Sequence, residues 1–283
     1  MYVRQKEGCL TLGLGFRLDR MHRELVEEIL SFVKARRKVD GGYGATPLLP
    51  ATIEDSYHAL RILETIGKSA GFKRLTSSLL KDESLRDYLI RSVETEWVSA
   101  RTAFRVLYSR RLVGLPSDPS LAVAFLSRRP RKRLSLQERY YRARILREVL
   151  GSTIENTRKK PSPFAPRRWR TASELLMRLY LATPQGVRQS PVRGSLISWL
   201  RACQTSDGGF GFFPGTTSYI ENCHTCLRAL AILQAKPLGY DNCLHFVLAC
   251  RTGSGGFARK PGAAPFLDAT WHAVAAFFLL EIL

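Results

Sequence analysis

Hydrophobic residues recur along this chain at spacings of three and four, the period of amphipathic α-helices. The clearest such segments are 20–34, 192–203 and 240–250, and each precedes a pair of glycines. β-Branched residues are scattered, and no series of alternating apolar and polar positions indicates strands. The pattern therefore predicts an all-α protein.

Each of these helices leads through a glycine-rich loop into a second, more apolar helix. Glycines permit a tight turn with positive φ, an aromatic residue fills the junction, and an acidic residue opens the second helix and complements its dipole. Each unit is therefore a helical hairpin, and the three units are internal repeats over 20–67, 191–234 and 239–283. Their loops are Gly41-Gly42-Tyr43-Gly44, Gly208-Gly209-Phe210-Gly211 and Gly255-Gly256-Phe257.

The stretch between the clear repeats, 70–190, keeps helical periodicity but lacks glycine pairs. Second helices beginning near residues 52, 96, 136, 170, 218 and 266 predict six hairpins in one domain, 1–283. Such hairpins either stack as an open solenoid or close into a ring, and the hydrophobic pattern does not choose between these. The helices predicted in this stretch are 72–80, 85–93, 96–107, 121–127, 136–150 and 171–181.

The net charge of +20 is concentrated in residues 101–200, which hold 22 basic and 5 acidic side chains. The densest clusters are 128–133, 158–160 and 167–170. Basic clusters attract phosphate on nucleic acid, on lipid or on a diphosphate ligand, but a solvated face or an acidic protein partner fits equally well. No zinc-finger, RNP or helix-turn-helix pattern accompanies them, so nucleic-acid binding is disfavoured.

Two further features bear on the cellular compartment. Six cysteines in 283 residues do not form the disulfide framework of a small secreted domain. The longest apolar run, 273–280, is too short to cross a bilayer, and no charged-then-apolar leader begins the chain. We therefore expect a cytoplasmic protein with reduced thiols and no transmembrane segment.

The Gly-Gly-aromatic loop, followed by an acidic residue and an aromatic or His-bearing helix, resembles the prenyltransferase and squalene-cyclase repeat. Over 191–283 the chain is most similar to the β subunits of protein farnesyl- and geranylgeranyltransferases, and 246–262 matches them especially well. The resemblance implies an α/α toroid with six inner and six outer helices. It also implies an enzyme that transfers a farnesyl or geranylgeranyl group from its diphosphate to a thiol, together with a helical-repeat α subunit.

The resemblance further implies a catalytic zinc ion. The β subunits hold zinc on an Asp-x-Cys pair and on a His one repeat later, and the matching residues here are Glu221, Cys223 and His272. Three ligands leave the fourth position open, as in catalytic zinc sites, where a bound substrate thiol would become a thiolate. Cys223 and His272 are the candidate catalytic residues of this set.

The sequence departs from the family pattern at several positions. Glu221 replaces Asp, and His272 follows Asp268 by four residues where the family has three. The loop 212–218 lacks the basic residues that bind diphosphate in the family. Arg259 and Lys260 are therefore the candidate diphosphate-binding residues, with the 167–170 cluster as an alternative.

Each candidate also has an architectural interpretation. Cys223 would serve as a small core residue, since free cysteines are among the most buried residues. Glu221 would be the acidic residue that opens a helix in every repeat, and His272 would hydrogen-bond a loop carbonyl. His224 is an alternative metal ligand beside Cys223.

Aromatic residues cluster at the starts of the second helices, where they would either line a cavity for an isoprenoid or fill the core of a repeat. Two other functions stay open: a catalytically inactive toroid that binds lipid or protein, and a terpene cyclase. The cyclase is the weaker because no Asp-x-Asp-Asp acid occurs. The candidate cavity aromatics are Tyr57, Phe210, Phe212, Tyr219 and Trp271.

Overall fold

The computed structural model describes residues 22–69, 71–93, 97–116, 119–128, 133–152, 169–182, 186–187 and 189–281. In this part of the chain the regular elements are helices, and β pairing is limited to isolated bridges. The helices are α1 (22–34), α2 (Ile53–Ile66), α3 (Lys73–Leu80), α4 (Glu83–Arg91), α5 (Ala100–Leu112), α6 (Pro119–Ser127), α7 (Leu136–Arg144, continued by a π-helical turn, Ile145–Val149), α8 (Ala172–Leu181), α9 (Arg193–Ala202), α10 (Ile220–Ile232), α11 (Tyr240–Ala249) and α12 (Leu267–Leu279).

Six of these helices form a closed ring. In the order α2, α5, α7, α8, α10 and α12, each packs against the next, and α12 packs against α2. The ring decides between the open and closed arrangements of hairpins, and it confirms the predicted all-α toroid. The predicted starts of the inner helices are right to within four residues; the largest error is at α5, where the Ser99 side chain caps the helix by accepting from Thr102 N.

The other helices surround this ring. Helices α3, α4, α6, α9 and α11 pack on it from outside, and α1 adds Val26, Ile29 and Phe32 to the main core. The basic clusters predicted over 129–132 and 158–168 lie outside the described residues. None of the helices that the structure describes has both the length and the apolar character needed to span a membrane.

Each glycine-rich loop packs against the outer helix of the next repeat. A Cβ atom on Gly208 would lie 2.1 Å from the carbonyl oxygen of Asn242, and one on Gly209 would lie 2.9 Å from the Phe246 ring. The glycines are therefore needed for close approach as well as for the positive φ of +88° at Gly208. The same contacts recur at Gly41 on Ser84 and at Gly42 on Tyr88.

The last loop closes the outer layer. Gly255 packs on the backbone of Glu28, and Gly256 packs on the ring of Phe32, both in α1. Arg251, which precedes this loop, forms an ion pair with Glu28. The first and last repeats therefore meet in both the inner and the outer layers.

Candidate functional site

The inner helices share a common register, with their first residues at one rim of the ring. Ala100 N at the start of α5 donates to Glu138 of α7 (3.2 Å), and Ile220 N at the start of α10 donates to the carbonyl oxygen of Arg259 just before α12 (2.9 Å). Because the helices have similar pitch, equivalent positions form layers across the interior. The fifth and sixth positions supply an aromatic layer, comprising Tyr57, His58, Phe104, Tyr140, Tyr141, His224, Trp271 and His272.

Trp271 is at the centre of the aromatic layer. Its ring stacks on His58 of α2, with centroids 5.5 Å apart and planes at 17°, and meets the edge of His224 of α10 at 4.9 Å. The neighbouring helices on both sides of α12 therefore contact one indole, which faces the interior. Tyr57 lies 6.2 Å from the same indole and extends the layer to Phe104 of α5 (6.0 Å).

Two histidines of this layer, His58 and His224, are buried and His272 is partly buried, and all three environments favour the neutral form. The Nδ1 atoms of His224 and His272 are 2.8 Å apart, so one ring carries the proton and the other accepts the hydrogen bond. Burial lowers the pKa of His58 and His224 well below the usual value, and burial with nearby Arg259 and Arg105 lowers that of His272 to about 3. At neutral pH these imidazoles are therefore uncharged.

The ninth positions of the six helices form a second layer, one helical turn farther from the rim. Arginine alternates there with smaller or uncharged residues around the ring. We call this the arginine layer, and its members in ring order are Arg61, Tyr108, Arg144, Tyr180, Arg228 and Ala275.

Two glutamates balance part of the charge in the arginine layer. Glu148 accepts from Arg144 through both carboxylate oxygens (2.8 and 2.7 Å), and it also accepts from the Tyr180 hydroxyl (2.8 Å). Burial opposes ionisation of Glu148, but the hydrogen bonds from Arg144 hold its pKa below the usual value. Glu64 accepts from the Tyr108 hydroxyl at 2.9 Å and lies 3.2 Å from Arg61.

The rim carries a separate set of ion pairs. Glu54, at the start of α2, accepts from Arg101 (2.9 Å) and contacts Arg105 (2.6 Å) of α5. Burial raises the pKa of Glu54, but the Arg105 hydrogen bond and charge bring it net below the usual value. These ion pairs connect α2 to α5 at the rim of the ring.

The predicted zinc ligand Cys223 faces the outer layer. Its side chain is fully buried, its sulfur accepts a hydrogen bond from Phe210 N, and it contacts the Cys243 thiol of α11. Ser56 and Thr270 occupy the same repeat position, and their hydroxyls accept from Tyr43 N and Phe257 N, each at 2.9 Å. Burial raises the pKa of the Cys223 thiol well above the usual value, so the protonated form is favoured.

The other two predicted ligands have different partners. Glu221 is at the rim in an ion pair with Arg259, whose Nε is 3.0 Å from its carboxylate, and His272 is hydrogen-bonded to His224 inside the ring. The structure does not bring Glu221, Cys223 and His272 together. No group of three or more potential ligands arranged for a metal ion occurs among the residues it describes.

The remaining predicted site residues divide between interior and rim. Tyr57 and Trp271 line the interior, whereas Phe210 is fully buried in the main core beneath its loop. The rings of Phe212 and Tyr219 contact each other at 6.0 Å, close to Arg259, which lies over Tyr219. Lys260 is exposed on the rim loop.

Sequence reasoning did not assign a functional role to the interior arginines. Arg61 and Arg228 occupy equivalent positions of two aligned repeats, eight residues after Ile53 and Ile220, and this coincidence was the available signal. Arg144 is in the degenerate stretch, where no glycine-rich loop marks the register. Its role depends on the alignment of α7 with the other inner helices.

Comparison with known families agrees with this architecture. The model of the prenyltransferase alpha-alpha toroid domain matches residues 9–100 and 170–283, which is well over half of the chain. The chain therefore belongs to the prenyltransferase alpha-alpha toroid family. A search of curated proteins finds no match.

Proposed function

We propose that this toroid is an isoprenoid enzyme that binds an isoprenoid diphosphate inside the ring and transfers the prenyl group to an acceptor. The observation that carries the proposal is the contact between aromatic and cationic side chains in one interior. The Arg61 guanidinium lies 5.6 Å from the Trp271 ring and 6.0 Å from the Tyr57 ring. An isoprenoid diphosphate combines an apolar chain with an anionic head and suits such an interior.

The interior supplies the groups that this reaction needs. As the bond from isoprenoid C1 to the diphosphate oxygen breaks, positive charge develops on the prenyl group, and the face of Trp271 stabilises it. Guanidinium groups stabilise the departing diphosphate through charge-assisted hydrogen bonds. The acceptor forms a bond to C1 and loses its proton to the departing diphosphate, because the lowered pKa values of His224 and His272 make these imidazoles poor bases.

Zinc, with a thiol acceptor, stays a prediction from the family resemblance. As arranged here, the matching residues do not fit the ion, because the Cys223 sulfur accepts a hydrogen bond from the backbone of the loop and the carboxylate of Glu221 pairs with Arg259. We therefore assign no step of the reaction to zinc. A partner α subunit likewise stays a prediction.

Binding of farnesyl diphosphate and geranylgeranyl diphosphate to the purified chain tests the proposal. We expect saturable binding that Trp271→Ala weakens about tenfold or more, since one buried aromatic contact contributes on the order of 1–3 kcal/mol. Trp199→Ala, on outer helix α9, is the matched control and should keep wild-type affinity. Absence of binding, or equal losses in the two variants, would contradict the proposal.

A toroid that binds without catalysis is the second candidate. The ion pairs of Arg144 with Glu148 and of Glu54 with Arg101 favour it, because side chains that are already paired stabilise the fold and are not available for a reaction. The two candidates differ in turnover. Release of inorganic diphosphate from a bound isoprenoid diphosphate, in the presence of a thiol peptide, supports the enzyme, whereas tight binding without release supports the binding toroid.

A further inference from the structure

Exposed apolar side chains recur on the loops that lead into the inner helices. Single exposed apolar residues are normal on soluble proteins, but several at one end of a molecule mark an interaction surface. In the part of the chain that the structure describes, they occur before α2, α5, α10 and α12, all at the rim where the inner helices begin. They are Leu48 and Leu49 (95% and 52% exposed), Val98 (89%), Phe212 and Phe213 (39% and 47%) and Phe266 (38%), and we call them the apolar tips.

The loop before α2 is held by its own hydrogen bonds in the conformation that exposes its two leucines. Lys38 Nζ donates to the carbonyl oxygens of Thr46 and Pro47, at 2.8 and 2.6 Å. The Thr46 hydroxyl accepts from the backbone N–H groups of Leu48 and Leu49, at 3.3 and 3.2 Å. The exposure of these leucines is therefore a feature of an ordered loop.

The loop before α10 is ordered in a similar way. The Thr216 hydroxyl donates to the carbonyl oxygen of Phe213 (2.8 Å), and the carbonyl oxygen of Phe212 accepts from Ala172 N at the start of α8 (2.9 Å). The Phe212 ring also contacts Tyr219, with centroids 6.0 Å apart. This loop therefore holds two partly exposed phenylalanine rings at the rim.

The same rim carries basic side chains without acidic partners. Arg133 and Arg170 lie just before α7 and α8, and Lys260 is on the loop before α12. All three are exposed, and their side chains form no ion pair with a described residue. Glu54 and Glu221, which open helices at this rim, are already paired with arginines. The unpaired charge that the three basic residues add to the rim is therefore positive.

We propose that this rim binds the surface of a bilayer that contains anionic phospholipids. Leucine and phenylalanine side chains enter the boundary between headgroups and acyl chains, and lysine and arginine side chains interact with the lipid phosphates. Because the apolar tips come from separate loops, they suit a fluid lipid surface better than the fixed surface of one protein. The inference does not depend on the proposed function, since the lipid contacts the rim and not the interior.

Co-sedimentation of the full chain with lipid vesicles tests this surface. Vesicles of phosphatidylcholine and phosphatidylserine in equal amounts are compared with vesicles of phosphatidylcholine alone. We expect binding to the anionic vesicles to be tighter by about tenfold or more and to weaken as salt is added.

A double variant tests the apolar tips. Leu48→Ser combined with Phe213→Ser changes one tip on each of two loops and should weaken binding to the anionic vesicles about tenfold or more. Leu75→Ser combined with Leu238→Ser is the matched control, because these leucines are 49% and 72% exposed but follow the ends of inner helices. The control should bind as wild type does.

A second double variant tests the charge. Arg133→Gln combined with Lys260→Gln should also weaken binding to the anionic vesicles about tenfold or more. Lys73→Gln combined with Arg74→Gln, on the exposed face of α3, removes the same charge elsewhere and should keep wild-type affinity.

Circular dichroism establishes that each variant is folded before its binding is compared. Weaker binding in both rim variants, with both controls unchanged, supports the proposal. Absence of binding to either kind of vesicle would overturn it and leave the apolar tips as a contact for a protein partner. Binding that only the charge variant weakens would overturn it as well, because the tips then do not enter the bilayer. Neither result bears on the binding of farnesyl diphosphate, which is measured without vesicles.

Discussion

The thiol of Cys223 holds the position in its repeat that Ser56 and Thr270 hold in two others, as acceptor for the N–H of the loop aromatic residue. Cys223→Ser keeps an acceptor there and should cost little stability. Cys223→Val leaves Phe210 N buried without a partner and should cost about 1–3 kcal/mol. Urea denaturation measures both. A zinc ligand would behave differently, because Ser would then remove bound metal and destabilise the protein at least as much as Val.

The three histidines of the aromatic layer, His58, His224 and His272, predict a pH dependence of stability. Their pKa values are lowered in the folded state, so the unfolded chain binds protons first as the pH falls below about 6.5. The contribution of these histidines to the free energy of unfolding should therefore be constant above that pH. Below it, stability should fall by as much as about 1.4 kcal/mol per pH unit for each histidine, down to a pH of about 3 for His272.

Chemical denaturation between pH 7.5 and 4.5 measures this dependence. His272→Gln removes one titrating group and should flatten the profile. His245→Gln, on the exposed face of α11, is the control and should leave the slope unchanged. A profile that is flat in the wild type, or one that His245→Gln alters as much as His272→Gln, would contradict the buried neutral histidines.

At the scale of elements, the glycine-rich loops join each repeat to the next outer helix. Gly208→Ala places a methyl group against the Asn242 backbone and forces a side chain into positive φ, so we expect a loss of at least about 2 kcal/mol. Gly194→Ala in α9 meets open space and should stabilise the protein by up to about 1 kcal/mol. Thermal unfolding distinguishes the two. Equal changes in stability in the two variants would show that the loop contact does not stabilise the protein.

The helices themselves were largely predictable because the signals that specify them lie close together in the sequence. Amphipathic spacing located α3 and α8, and the glycine pairs located the turns before α10 and α12. The boundary error at α5 arose because apolar spacing continues upstream of the residue that caps the helix, Ser99. Side-chain caps, rather than hydrophobicity, fix such boundaries.

At the scale of the whole molecule, the first repeat completes the last. Phe32 of α1 packs on Gly256, so Phe32→Ala should lower stability by about 3–5 kcal/mol, as large cavities do. Unfolding should stay a single transition, with far-UV dichroism and tryptophan fluorescence coinciding. Phe213→Ala, on an exposed ring, is the control. An open array would instead lose its first repeat separately, and the two signals would diverge.

The candidate site was harder to predict than the fold, since it depends on the register between helices far apart in sequence. The clustering of aromatic residues at the starts of the second helices pointed to Tyr57 and Trp271, and both line the interior. Matching to the family placed Glu221 and Cys223 on one ion, but residues two apart on a helix do not share a face, and Cys223 points outward. The arginine layer emerges only when α2, α7 and α10 are placed side by side in the ring.

The proposed function depends on the binding of an isoprenoid diphosphate inside the ring. Photocrosslinking with a farnesyl diphosphate analogue that carries a benzophenone on its chain, followed by peptide mass spectrometry, tests it most directly. We predict saturable adducts on Tyr57, Phe104 or Trp271 that excess farnesyl diphosphate suppresses. Adducts confined to outer helices such as α3 or α9, or labelling that the natural ligand does not compete away, would contradict the account.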